Sequence, residues 1–335
     1  MPAVLLSHRL ERERGADLVR RANEAGASLR VIALPEDPEA RLPSGACPQV
    51  DLAFFSEDVF PAYSRQFFSA VRKAPNLKWL HVFNAGVDHP IYTEMLARGV
   101  RLTTSSGSTA EPIAQTAIAG LLMLARNFPR WLAAQREHAW NPARAPHFPP
   151  DLRGQTMVLI GLGSIGADIA RLARVLGLHV IGVRRGRAQG GEPVDELHTP
   201  DNLKALLPRA QWLVVACPLT PETRGLVDAA VLAQLPKGAR LINIARGEIV
   251  DEPALVAALS SGHLAGAYLD VFQQEPLPAE SALWDLPNVI ITPHNSAAAS
   301  GNETRVYEIF ADNLRRWYRD EPLVNEVKSE KRETA

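Results

Sequence analysis

The segment that most restricts this chain is TMVLIGLGSIGADIARLARVLG, residues 156–177. Its first residues form a short, branched, apolar run that reads as a buried strand. They lead straight into Gly161, Gly163 and Gly166, spaced G-x-G-x-x-G, and then into apolar residues at helical spacing. A strand, a glycine turn and a helix in direct succession open a βαβ unit. Each glycine answers a physical demand: a tight turn, close approach of backbone to a ligand, and close packing of helix on strand. The helix N-terminus offers free N–H groups and a positive dipole end, which suits a pyrophosphate. A glycine pattern alone is weak. Here its context favours a dinucleotide, with a methyltransferase loop as the main enzymatic competitor.

The rest of the chain repeats the alternation of short apolar runs and helical patterns, which marks parallel sheets with crossover helices. One series has strands at 3–7, 29–34, 51–56, 77–83 and 100–104. A second has strands at 156–161, 179–183, 212–217, 240–245, 265–270 and 288–293. Only the second carries the glycine turn, and six strands suit a complete doubly wound dinucleotide fold. A chain of 335 residues also exceeds what one core usually serves. The expectation is therefore an α/β protein of two doubly wound domains: a Rossmann domain over 108–296 and a discontinuous, flavodoxin-like substrate domain over 1–107 and 297–335. A long helical segment from Glu111 to about Trp140 and a helix over about 301–318 would carry the chain out and back. The cleft between two such domains is the default ligand site.

Composition excludes several functions. The formal net charge is −1, so no general nucleic-acid or membrane-surface role has an electrostatic footprint. Cys47 and Cys217 have neither metal nor redox spacing, which fits a reducing cytoplasm. The most apolar helical run, 113–125, is too short to span a membrane, and the N-terminus lacks a secretory apolar core. The nine histidines include no HExxH or similar spacing, so no metal is expected.

A local basic cluster therefore needs a local reason. VIGVRRGRAQ, residues 180–189, ends the second strand of the second series in Arg184, Arg185 and Arg187. About 20 residues past the glycine turn, NAD-binding domains place a carboxylate on the ribose hydroxyls. Arg184 stands at that point instead. A guanidinium there binds a 2′-phosphate through charge-assisted hydrogen bonds, so NADP(H) is preferred and NAD(H) remains possible. Arg184 and Arg185 fit by position. Arg187 is further out, and an exposed, solvated loop is the plain alternative for all three.

Ligands of open α/β sheets lie beyond the carboxyl ends of the strands. The last three strands each end near one useful side chain: Arg246, Glu275 and His294. Singly, each has an ordinary reading as a salt-bridged, solvated or capping residue. Together they suit hydride transfer on a small 2-keto or 2-hydroxy acid. Arg246 would grip the carboxylate and polarise the keto oxygen. His294 would exchange a proton with that oxygen. Glu275 would accept from the other ring nitrogen and fix the tautomer. Asp270 also ends a strand, either near the nicotinamide or satisfying loop N–H groups.

The segments NAGVD (84–88), GLGSIG (161–166), CPLTPETRGLV (217–227), LINIARGEIVDEPAL (241–255), AGAYLDVFQQEPLP (265–278) and NVIITPHNSA (288–297) resemble the D-isomer-specific 2-hydroxyacid dehydrogenases, in particular their glyoxylate and hydroxypyruvate reductase branch. The resemblance covers nearly the whole chain. It implies two α/β domains, a homodimer, and catalytic residues at Arg246, Glu275 and His294. It implies further cofactor contacts from Ser164, Ile165, Cys217, Pro218, Thr223, Ile244, Ala245 and Asp270. It adds a substrate-carboxylate loop at Asn84, Ala85, Gly86 and Val87. Trp140, at the end of an arm like the family's dimer arm, would reach a neighbouring active site or simply pack in the interface. Two departures stand out: Arg184 replaces a frequent acid, and Ala114-Gln115 replaces a frequent Ala-Glu. A non-catalytic NAD(P)H sensor or corepressor, and a dehydrogenase of another small acid such as formate or phosphite, are the competing functions.

Overall fold

Parallel pairing governs both halves of the chain. The computed structural model describes residues 1–327 apart from 44, 88, 146–147 and 187–189. Asp88, Arg187 and residues 328–335 thus lie outside the described residues. The chain forms two units, one of Met1–Ser108 with the chain from Ser300 onward, the other Thr109–Ala299.

The first unit holds strands β1 (Ala3–Leu6), β2 (Arg30–Ala33), β3 (Leu52–Phe55), β4 (Trp79–Val82) and β5 (Arg101–Thr104). Their order is β2-β1-β3-β4-β5, all parallel, the flavodoxin-like order. Both faces are covered. Leu5, Phe55 and Val82 pack on one side, and Leu6, Phe54 and Trp79 pack with Phe310 and Leu314 of the C-terminal helix Asn302–Tyr318 on the other. The apolar runs of β1 (AVLL) and β3 (LAFF) follow from this two-sided burial.

The second unit holds β6 (Thr156–Ile160), β7 (His179–Val183), β8 (Glu196–His198), β9 (Trp212–Val215), β10 (Ala239–Asn243), β11 (Leu264–Leu269) and β12 (Val289–Ile291). The order β12-β11-β10-β9-β6-β7-β8 reverses at β6, the doubly wound switch point. Met157 and Leu159 face one core, Val158 and Ile160 the other.

Two expectations are corrected. The sheet has seven strands, not six, because Glu196–His198 pairs with β7 as an edge. The helical segment after Glu111 is not one helix reaching Trp140. It breaks into Ala110–Ala125 and Phe128–Arg136, with Asn127 between them at φ 58°. Asparagine tolerates that left-handed conformation, and Pro129 suits the first turn of a new helix. Among the described residues, no helix is long and apolar enough to cross a membrane.

Candidate active site

The glycine turn separates demands of the fold from demands of a ligand. Gly161 has φ 101°, and a Cβ there would lie 2.6 Å from the backbone of Ala216. A Cβ on Gly166 would lie 2.1 Å from the Gly161 carbonyl oxygen. These two glycines are required by packing. A Cβ on Gly163 would meet nothing within 4 Å, so no protein contact there asks for glycine. Ser164 and Ile165 open the helix Ser164–Val175, whose N-terminus has no side-chain cap. Its first N–H groups are thus available to an anion.

A cavity of about 630 Å³ adjoins this turn. Gly161, Gly163, Arg184, Arg185, Cys217, Pro218 and Thr223 line it, as do Thr199 and Asp201, which sequence reading missed. Thr223 ties its own loop, donating to the Pro218 carbonyl at 2.8 Å. Cys217 is buried, which pushes its thiol pKa up and suits an inert wall. Arg185 is exposed. Arg184 is mostly buried and pairs with Glu192 at 2.8 Å. Shape, open helix end and two guanidinium groups all fit a dinucleotide. Ile244, Ala245 and Asp270 do not line this cavity; they sit buried at or just beyond the ends of β10 and β11.

Arg246, Glu275 and His294 follow β10, β11 and β12. Glu275 Oε2 lies 2.7 Å from His294 Nδ1, and Glu275 Oε1 accepts the Phe272 N–H at 3.0 Å. That leaves His294 Nε2 without a partner among the described residues, on a side chain that is 47 % exposed. His294 has φ 50°. The turn that carries it is bound to Asp270, whose carboxylate takes the N–H groups of Asn295 (2.9 Å) and Ser296 (3.1 Å) and the Ser296 hydroxyl. Asp270 is 1 % exposed, so its side chain serves loop N–H groups.

Arg246 is exposed and makes no hydrogen bond or ion pair with Glu275 or His294. Its turn is set by Asn243, which donates to the Arg246 carbonyl at 3.0 Å and accepts from Ala245 N–H at 3.1 Å. A Cβ on Gly247 would fall 1.8 Å from the Phe272 carbonyl carbon. The Arg246 turn therefore lies directly on the chain that leads to Glu275. Asn243 and Gly247 were not singled out from sequence; only the strand-end pattern around them was.

In the first unit, Asn84–Val87 follows β4. Tyr92 Oη lies 3.2 Å from Asn84 Oδ1, and the Asn84 side-chain amide bonds the Gly86 carbonyl. No backbone acceptor among the described residues takes the N–H groups of residues 84–87. Trp140 is 96 % exposed. No group of three or more potential metal ligands occurs among the described residues.

Comparison with known proteins identifies a family. The family model described as D-isomer specific 2-hydroxyacid dehydrogenase, NAD binding domain, matches residues 118–296. A glyoxylate reductase of Thermofilum pendens is 34 % identical over 243 residues, covering 72 % of each chain. A D-isomer specific 2-hydroxyacid dehydrogenase from Xanthobacter autotrophicus Py2, solved in complex with NADPH and MES, is 33 % identical. The match covers 98 % of both chains with a TM-score of 0.72. An NADPH-dependent glyoxylate/hydroxypyruvate reductase from Sinorhizobium meliloti, solved with NADP and sulfate, is 27 % identical, with 98 % coverage of both and a TM-score of 0.70. A strand-end Glu–His pair on a doubly wound dinucleotide sheet, together with these matches, places the chain in the D-isomer-specific 2-hydroxyacid dehydrogenase family.

Proposed function

We propose that this protein reduces small 2-keto acids of the glyoxylate and hydroxypyruvate kind, with NADPH preferred over NADH. The observation that carries the reading is the Glu275–His294 pair at 2.7 Å with Nε2 left open. When bound, the reduced nicotinamide supplies a hydride to C2 of the keto acid. His294 Nε2–H gives its proton to the developing alkoxide, and the product is the D-hydroxy acid where C2 becomes chiral. Glu275 holds Nδ1–H, keeps the ring in one orientation and offsets the positive charge of the imidazolium. Arg246 grips the substrate carboxylate and polarises the keto oxygen with its planar fork. The N–H groups of Asn84–Val87 are assigned to substrate binding on the family resemblance. The first unit is accordingly the substrate domain and the second the cofactor domain.

The cofactor preference rests on Arg184 and Arg185 lining the dinucleotide cavity. The relatives solved with NADPH or NADP add to it. The working form is assigned as a homodimer. Support comes from exposed apolar side chains of the second unit, Leu132 and Trp284, which line a cavity of about 740 Å³ along β12. Trp140 is assigned to that interface or to the neighbouring subunit's site. A cytoplasmic location is part of the same reading.

The test is the change in NADPH absorbance with a panel of 2-keto acids, repeated with NADH. Turnover with kcat/KM higher for NADPH is expected. Replacing Arg184 and Arg185 with serine should lower kcat/KM for NADPH by about 10- to 100-fold, the worth of one or two charge-assisted hydrogen bonds, and leave NADH nearly unchanged. Tight cofactor binding without turnover of any acid would turn the reading towards a sensor.

A further inference from the structure

The turn that carries His294 is tied to a hydroxyl chain that runs into the core of the second unit. Asp270 Oδ1 lies 2.6 Å from Thr292 Oγ1, and Thr292 Oγ1 lies 2.7 Å from the Tyr268 hydroxyl. The direction of these bonds follows from the hydrogens available. Asn295 and Ser296 N–H groups already point at the Asp270 carboxylate, with Ser296 reaching both oxygens, so the carboxylate only accepts. The single Thr292 hydroxyl hydrogen therefore goes to Asp270, and Tyr268 donates to Thr292. Three hydroxyl and carboxylate groups form one directed chain, Tyr268 to Thr292 to Asp270.

The far end of this chain cannot drift. Tyr268 is 2 % exposed, and its ring lies across Gly120 in the helix Ala110–Ala125. A Cβ on Gly120 would stand 2.4 Å from the ring's Cγ. The near end is the part that matters for chemistry. His294 sits at φ 50°, a conformation that a non-glycine residue keeps only when its surroundings impose it. Asp270 imposes it from both sides: its backbone carbonyl accepts the His294 N–H at 2.8 Å, and its carboxylate accepts the next two amides.

We infer that Tyr268 and Thr292 are positioning residues for His294, acting through Asp270 to hold the left-handed turn from which the imidazole reaches the substrate. This rests on the reading of His294 as the proton donor. Neither residue touches the reacting atoms.

Two replacements at one position separate the hydroxyl from the packing. Thr292→Val keeps the shape and removes the hydroxyl, whereas Thr292→Ser keeps the hydroxyl and removes the methyl group. In Thr292→Val, kcat should fall about tenfold, the loss of one hydrogen bond to a carboxylate, with KM for NADPH within about twofold of the parent. Thr292→Ser should stay within about twofold in both. Tyr268→Phe should lower kcat about threefold alone and not at all in the Thr292→Val background, since the chain is then already cut. A second readout is amide hydrogen exchange at His294, Asn295 and Ser296, which should quicken in Thr292→Val and Tyr268→Phe but not in Thr292→Ser. Equal behaviour of the valine and serine variants, additive losses in the double variant, or unchanged exchange would overturn the inference. The exchange measurement decides even if the parent protein turns over no keto acid, so failure of the enzymatic reading and failure of this one give different results. Should Thr292→Val not fold, Tyr268→Phe carries the same comparison.

Discussion

His81 and His294 are one in each unit, each at the carboxyl end of a parallel strand or just beyond, and their surroundings make them opposites. His81 is fully buried. Its Nδ1 lies 2.7 Å from Thr103 Oγ1 and its Nε2 2.9 Å from Ser105 Oγ. Ser105 donates to the Val82 carbonyl, so its oxygen accepts from Nε2–H. Trp79 Nε1 donates to Thr103, whose hydroxyl then donates to Nδ1. Both nitrogens are satisfied in one neutral tautomer, and no carboxylate bonds to the ring. Burial holds its pKa down at about 3. His294 instead has one nitrogen on a carboxylate and the other open, in a half-exposed side chain. Residue type alone says little about proton transfer. What decides is whether a nitrogen is left free and whether a counter-charge waits on the far side.

The contrast can be broken at several points. Losing the imidazole in His294→Gln should remove the proposed proton donor, and turnover should fall roughly 10²- to 10⁴-fold while NADPH binding persists. Steady-state kinetics with glyoxylate, alongside cofactor titration by fluorescence, reads both. A variant that turns over like the parent would end the assignment. A smaller break is Glu275→Gln, which keeps a partner on Nδ1 but removes its charge. The expected loss in kcat is about 10- to 100-fold, the scale of a hydrogen bond to a charged group. If Glu275→Gln retains full kcat, the charge of Glu275 has no part in the reaction.

The third break concerns His81 and is read as stability rather than rate. An unfolded histidine takes up its proton near pH 6.5, whereas folded His81 does so only at about pH 3. The unfolded chain therefore binds the proton first. The contribution of His81 is complete above about pH 6.5 and declines as pH falls towards 3, by at most about 1.4 kcal/mol per pH unit. Urea unfolding at pH 7 and pH 5 should show a loss of about 2 kcal/mol from this group. His81 should also keep its neutral imidazole signals by NMR at pH 5. A ring that titrates between pH 5 and 7 would show that it is not sealed.

Much of this arrangement was legible beforehand. Eleven of the strands announce themselves as short, mostly apolar runs between helical patterns, as parallel sheets covered on both faces require. Glu196–His198 does not, since an edge strand with polar side chains has no such run. The helix break at Asn127 was hidden because the flanking apolar pattern continues through it; only a left-handed asparagine followed by Phe128-Pro129 hints at a stop. Arg246, Glu275 and His294 could be found from their positions after three strands. The partners that orient them could not: Asn243, Gly247, Phe272 N–H and Thr292 act through backbone geometry and distances that no spacing encodes. Asp270 left two roles open in sequence, and the turn from Thr292 to Ser296 occupies its carboxylate.

One feature of the cofactor cavity changes how charge is presented to a ligand. Arg184 already holds the Glu192 carboxylate at 2.8 Å. An anion that arrives there meets a paired guanidinium and must displace or share the carboxylate, whereas Arg185 stands exposed beside it. On the proposed reading, the extra phosphate of NADP(H) would compete with the Glu192 carboxylate for the Arg184 guanidinium.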